Sequence, residues 1–156
     1  MKHIITALLL ISIAFAGFAQ GTPAAKKLKE YNLNNKLAIE GYDPVAYFKQ
    51  GKAVKGKKQF AVTSPEGIMY YCSSAANQQA LSQNLVAFEP QYGGWCAYAM
   101  GAMGDKVEVD PETFKIINGK LYLYYNAFFN NTLNSWNKDE TNLKKKADAN
   151  WNKLVN

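Results

Sequence analysis

The sequence predicts an α+β domain: a small antiparallel sheet with hairpins, packed by short helices and a C-terminal helical segment. Asn118-Gly119 separates two apolar runs in FKIINGKLYLYYN, which is the pattern of a type I′ hairpin. A second hairpin is indicated by the turn Ser-Pro-Glu-Gly at 64–67 between strand-like runs at 59–63 and 68–72. Helical and strand signals are mixed along the chain rather than regularly alternating, which favours α+β over α/β.

The other elements follow from local signals. Residues 35–39 suit a short strand, and Asp43-Pro44 then fits a helix start, with aspartate as N-cap and proline at the first helical position. Ser73 or Ser74 can cap a helix that runs to about Gln83. In the hairpin, Leu121 and Leu123 alternate with two tyrosines, so one face is aliphatic and the other aromatic. Residues 128–154 are predicted to be helical, with docking residues Trp136, Leu143, Trp151 and Leu154.

The N-terminal residues carry the pattern of an export signal. Lys2 precedes an apolar run at 4–18, and Gly17 and Ala19 suit cleavage before Gln20. We therefore expect residues 1–19 to be a signal peptide, 20–30 a flexible lead-in and 31–156 a single domain. The run is short for a membrane span, so the processed protein is expected in the periplasm or outside the cell, without stable membrane insertion.

Composition excludes several classes of function. All 18 basic residues are lysines, and the absence of arginine weighs against sequence-specific nucleic-acid binding. The single histidine, His3, lies in the predicted signal peptide. The processed chain therefore has no imidazole, which excludes histidine-based triads and the usual zinc sites.

Five blocks of sequence, in order, carry a family resemblance. They are GYDPVAYFKQGKAVKG, SSAANQQAL, PQYGGWCAYA, INGKLYLYYN and KADANWNKL. In this order they resemble the YHS domain-containing (seleno)protein family of exported bacterial proteins, from about Tyr31 to Leu154. The resemblance implies a compact α+β domain whose activity is poorly defined.

The wider YHS group is similar to metal-carrying cysteine modules, with an Asp-Pro-Val-Cys entry and a Phe-Cys-Ser-x-x-Cys step. By this resemblance the three cysteine positions fall on Ala46, Ser73 and Asn77, and Cys72 stands where relatives carry an aromatic residue. The chain thus lacks that ligand set. Cys96 instead matches the cysteine of the Gly-Gly-aromatic-Cys-Ala block of the exported branch.

Three interpretations of Cys96 remain open. A helix that starts near Trp95 would place the sulfur at a helix N-terminus, as a catalytic nucleophile or oxidisable thiol. Cys96, Met100 and Met103 also fall at i, i+4 and i+7, which would give one helical face a soft ligand set for Cu(I). The same spacing equally suits plain core packing. A disulfide between Cys72 and Cys96 is a further alternative.

Two clusters are candidate ligand-binding residues. Tyr42 and Asp43 form the first, although Asp43 also fits helix capping. The second is an aromatic-rich group that also fits a core with its hydroxyls at the rim. Its candidates are Tyr92, Trp95, Tyr124 and Asn126.

The sequence therefore leaves three hypotheses for the function. The first is an exported binding module for a small ligand or a soft metal such as copper, centred on Cys96. The second is a thiol-dependent redox enzyme with Cys96 as nucleophile, and the third is a structural or partner-binding module. A small molecule or a metal ion is the expected ligand, no nucleic acid is expected, and the sequence leaves the identity of any protein partner open.

Overall fold

The structure is a computed structural model that describes residues 23–156, so the predicted signal peptide lies outside the described residues. It has the predicted α+β architecture. The helices are α1 Pro23–Glu30, α2 Pro44–Lys49, α3 Ala75–Gln83, α4 Leu85–Phe88, α5 Ala97–Ala102, α6 Thr132–Trp136 and α7 Glu140–Val155. The strands are β1 Leu33–Asn34, β2 Leu37–Ala38, β3 Lys57–Thr63, β4 Met69–Cys72, β5 Asp110–Ile117, β6 Lys120–Tyr124, β7 Asn126–Ala127 and β8 Asn130–Asn131.

The strands form one four-stranded sheet, in the order β1-β2-β4-β3, and two separate hairpins, β5-β6 and β7-β8. Neighbours are antiparallel except β2 and β4, which are parallel through the pair Leu37 and Met69. The predicted Asn118-Gly119 turn is confirmed, since both residues have positive φ, 50° and 72°, and Ile117 pairs with Lys120. None of the helices in the part of the chain that the structure describes is long and apolar enough to cross a membrane.

Strand β6 separates two hydrophobic clusters. Leu121 and Leu123 belong to a cluster with Ile68, Tyr70 and Leu81, which covers the four-stranded sheet and α3. Successive side chains of a strand point to opposite faces, so the two intervening tyrosines enter a different cluster. That second cluster includes Tyr122, Tyr124, Trp136, Leu143 and Ala147. The predicted aliphatic and aromatic faces of this strand are therefore both buried.

The segment predicted as a flexible lead-in differs from expectation in its described part. Residues from Pro23 onwards form α1, and Lys27 Nζ lies 3.0 Å from both carboxylate oxygens of Glu89. At the end of α1, the Glu30 carbonyl accepts a hydrogen bond from Trp95 Nε1 at 2.7 Å, and the Glu30 carboxylate pairs with Lys106. These contacts join residues far apart in sequence, so local composition gave no sign of them.

Helices α5 and α7 pack so closely that a side chain at Gly101 has no room. A Cβ atom there would lie 2.5 Å from the backbone oxygen of Leu143. Gly to Ala normally stabilises a helix interior, but here we expect Gly101→Ala to lower the free energy of unfolding by about 2 kcal/mol through overpacking. Urea denaturation would measure the change, and a neutral or stabilising result would contradict this packing.

Candidate functional site

Cys96 lies at the N-cap of α5 with 0% of its surface exposed. Its sulfur lies 3.4 Å from Thr132 Oγ1 and accepts a hydrogen bond from the Tyr125 backbone N–H, also at 3.4 Å. Its own N–H donates to the Val107 carbonyl at 2.9 Å. Through these contacts Cys96 connects the start of α5 to Val107, which precedes β5, and to Tyr125 and Thr132, which flank the β7-β8 hairpin. Such an environment is typical of a cysteine that contributes to core packing.

The predicted soft-metal face does not assemble around this sulfur. Met100 is fully buried, but Met103 is 61% exposed because α5 ends at Ala102 and Met103 has left helical geometry. A Cu(I) ion shared by these three residues would have to join a sealed sulfur to one on the surface. The arrangement therefore does not fit a copper site. Within residues 23–156, no group of three or more His, Cys, Asp or Glu side chains is placed to hold a metal ion.

Cys72 is also a free, buried cysteine, and the structure contains no disulfide with Cys96. It belongs to the aliphatic cluster on β4. Burial raises the pKa of the Cys72 thiol to about 12, and the negative charge of Asp43 adds to this effect. The Cys72 thiol is therefore protonated at neutral pH, and both cysteine side chains are closed to solvent.

Asp43 is a fully buried carboxylate that connects three elements. Oδ1 accepts hydrogen bonds from the backbone N–H groups of Val45, at 2.9 Å, and Ala46, at 3.3 Å, which caps α2 as predicted. Oδ2 accepts from Ser73 N at 2.7 Å, Ser73 Oγ at 2.6 Å and Asn77 Nδ2 at 2.7 Å. The carboxylate thus joins the start of α2 to the junction between β4 and α3, and its hydrogen-bonding capacity is used within the fold.

The positions that the YHS resemblance assigns to cysteines lie together around this carboxylate. Ala46, Ser73 and Asn77 all donate to Asp43, and Asn77 Nδ2 also lies 3.3 Å from Ser73 Oγ. The Ser73 hydroxyl, the Asn77 amide and the Asp43 carboxylate are thus hydrogen-bonded to one another.

The predicted aromatic site is distributed between core and surface. Tyr92 and Tyr124 lie in the second cluster, where the Tyr92 hydroxyl donates to Asp148 at 2.9 Å and Tyr124 packs edge-on against Trp136 at 5.6 Å. Burial raises the pKa of both phenols well above the ordinary range. These two rings are therefore part of a packed core.

The remaining predicted ligand residues have separate local roles. Trp95 holds α1 through its indole N–H. The Tyr42 hydroxyl donates to Glu112 Oε1 at 3.0 Å, and Lys55 Nζ lies 3.8 Å from the centre of its ring. Asn126 Nδ2 donates to Thr113 Oγ1 at 3.0 Å, at the base of the β7-β8 hairpin. The structure does not gather these residues into one pocket.

A cleft that the sequence did not predict opens along β1 and β2. It has a volume of about 590 Å³, within the range of small-molecule sites. Its walls combine asparagine amides, two carboxylates and aliphatic side chains. The lining residues are Asn32, Leu33, Asn34, Asn35, Leu37, Ile39, Glu40, Gly94, Glu108 and Val109.

The backbone beside this cleft is held in an unfavourable conformation. Ile39 and Glu40 have positive φ, 51° and 49°, whereas the positive φ of Asn35 and Lys36 is the normal geometry of the two-residue turn between β1 and β2. Asparagine tolerates this region, but a β-branched residue such as Ile39 is a genuine outlier there. Such outliers concentrate at ligand-binding and catalytic sites, where the surrounding structure maintains them.

Fold and site together define a small α+β domain with sealed thiols and an open polar cleft. Comparisons with models of known protein families, with curated proteins and with solved structures gave no match for this chain. The five sequence blocks are therefore the whole basis for the resemblance to the YHS domain-containing family.

Proposed function

We propose that this protein is an exported, non-catalytic binding module of the YHS type, and that it binds a small organic cation in the cleft along β1 and β2. The observation that carries this proposal is the positive φ of Ile39 and Glu40, two neighbouring residues that both line the cleft. Strain of this kind is stabilised by the rest of the fold and favours a ligand site over a connecting loop. Export rests on the signal-peptide pattern of residues 1–19.

The chemistry of the walls favours a cation. Glu40 and Glu108 bring two carboxylates to one cleft in a chain whose formal net charge is +6. Asn32 donates to Glu108 Oε2 at 2.9 Å and so fixes the direction of that carboxylate. Aliphatic side chains such as Leu33 and Val109 offer contact to a carbon skeleton. The ammonium group of such a ligand would pair with the carboxylates, and its short hydrocarbon chain would pack against the aliphatic side chains.

The two thiol-centred hypotheses have less support. A nucleophile or a copper ligand at Cys96 needs access to its sulfur, and that sulfur is fully buried and hydrogen-bonded. A binding role therefore fits the exposed cleft better than it fits Cys96.

Isothermal titration with putrescine, choline and glucose would test the ligand class. We expect the two cations to bind and the neutral sugar not to bind. Glu40→Gln and Glu108→Gln keep the side-chain shape but remove the charge, and each should weaken cation binding about tenfold, as for one lost charge-assisted hydrogen bond. Binding should also weaken as salt is raised.

Asp105→Asn is the matched control, because Asp105 is an exposed carboxylate outside the cleft lining. It should leave the affinity unchanged. If neither cation binds, or if both cleft variants bind as tightly as the unmodified protein, the proposal is wrong.

A further inference from the structure

We propose that Phe128 and Phe129, at the tip of the β7-β8 hairpin, form a membrane-contacting element that docks the exported protein on an anionic lipid surface. The two side chains are 91% and 113% exposed. Large apolar groups presented side by side to solvent are typical of an interaction site. This surface is separate from the proposed ligand cleft and does not depend on it.

The backbone of the tip indicates that these residues are not there for stability. Both phenylalanines have positive φ, 49° and 63°, and Ala127 pairs with Asn130 across a two-residue loop. Asn-Gly suits such a loop, and the described residues use Asn118-Gly119 in the β5-β6 hairpin and Asn35-Lys36 in the β1-β2 hairpin. A phenylalanine pair in the same geometry is strained and exposes apolar surface, so the pair needs another explanation.

The base of the hairpin is held firmly, so the tip is presented in one direction. Thr132 donates to the Tyr125 carbonyl twice, from its N–H at 3.0 Å and from its hydroxyl at 2.9 Å. Asn131 Oδ1 accepts from Leu133 N at 3.0 Å and caps α6. Asn126 Nδ2 donates to Thr113 Oγ1 and, at 3.4 Å, to Asp110 Oδ2.

The size and charge of the tip favour a lipid surface over a protein. Two phenylalanine side chains offer roughly 150–250 Å² each, far less than the roughly 800 Å² per partner of a stable protein interface. A bilayer needs no complementary surface beyond its own apolar region. The sequence from 125 to 138 contains no acidic residue, and among the described residues the one carboxylate hydrogen-bonded to the hairpin, that of Asp110, lies at its base and not at its tip. The chain from Gln20 onwards has 17 lysines and 12 acidic residues, and this net positive charge attracts anionic headgroups.

Vesicle co-sedimentation tests this proposal. The processed chain from Gln20 is used, because residues 1–19 contain an apolar run of their own and every described residue is retained. We expect binding to vesicles of mixed phosphatidylglycerol and phosphatidylcholine, and much weaker binding to phosphatidylcholine alone. The double variant F128N/F129G should lose this binding at least about tenfold, because it removes both apolar side chains.

The same variant should be at least as stable as the unmodified protein, because Asn-Gly suits the turn, so lost binding cannot be ascribed to unfolding. Val86→Asn is the matched control: it removes another exposed apolar side chain, 78% exposed on α4, and should keep full binding. The proposal is overturned if the unmodified chain does not sediment with anionic vesicles, or if F128N/F129G sediments equally well, which would mean adsorption through lysines alone.

Discussion

Asp43→Ala is expected to lower the free energy of unfolding by about 4 kcal/mol, because it removes a helix cap and leaves several donors without an acceptor, each loss costing about 1–3 kcal/mol. The substitution removes the cap of α2 and leaves the donors of half-buried Ser73 and buried Asn77 without their acceptor. It also separates the start of α2 from the junction of β4 and α3. Chemical denaturation followed by circular dichroism would measure the change.

Two variants sharpen this experiment. Asp43→Asn keeps one acceptor oxygen for the cap but turns an amide group toward donors, so we expect an intermediate loss. Asp139→Ala is the matched control, because Asp139 is also an N-cap aspartate but is exposed and makes no capping hydrogen bond to α7. Its effect should stay below about 1 kcal/mol. If Asp43→Ala and Asp139→Ala lowered the free energy of unfolding equally, the hydrogen bonds of Asp43 would add nothing measurable to stability and the prediction would be wrong.

Features determined by neighbouring residues were predictable from the sequence. The Asp43-Pro44 helix start and the Asn118-Gly119 turn are both confirmed, since each depends on the conformational preferences of two adjacent residues. Ser74, one of the two predicted caps of α3, accepts from Asn77 N as a cap should. The alternation of leucine and tyrosine along β6 also predicted that the two faces of this strand pack in different hydrophobic clusters.

The state of the candidate residues was not predictable in the same way, because it depends on distant parts of the chain. Cys96 is sealed by contacts to Val107, Tyr125 and Thr132, none of which its local sequence indicates. The cleft likewise joins residues 32–40 to Gly94 and Glu108. No local pattern specifies such a meeting.

The expected methionine face failed for a reason that the sequence does contain. Gly104 has φ 78°, and its N–H donates to the Ala99 carbonyl, which is the arrangement of a glycine that ends a helix. The helix therefore ends at Ala102, and the periodic pattern, which continued one residue further, placed Met103 on a face that it does not occupy. Helix-ending glycines need to be considered before i, i+7 spacing is interpreted.

Cys96 is expected to react with iodoacetamide about a thousandfold or more slowly in the native protein than in guanidinium chloride, because a sealed thiol reacts only after local or global opening. Cys72 should be protected similarly, since burial near Asp43 raises the pKa of its thiol to about 12. Mass spectrometry of the two cysteine-containing peptides would measure each rate at neutral pH.

The Ser82→Cys variant supplies the reference for an accessible thiol, because Ser82 is exposed on α3. If Cys96 reacted within about tenfold of this reference, its sulfur would be reachable in the native state and the thiol-dependent redox hypothesis would regain support. If Cys96 instead reacts with iodoacetamide only after unfolding, its role is structural, in the contact of α5 with Tyr125 and Thr132. Under that outcome, the ligand has to be sought among the carboxylates and amides of the β1-β2 cleft.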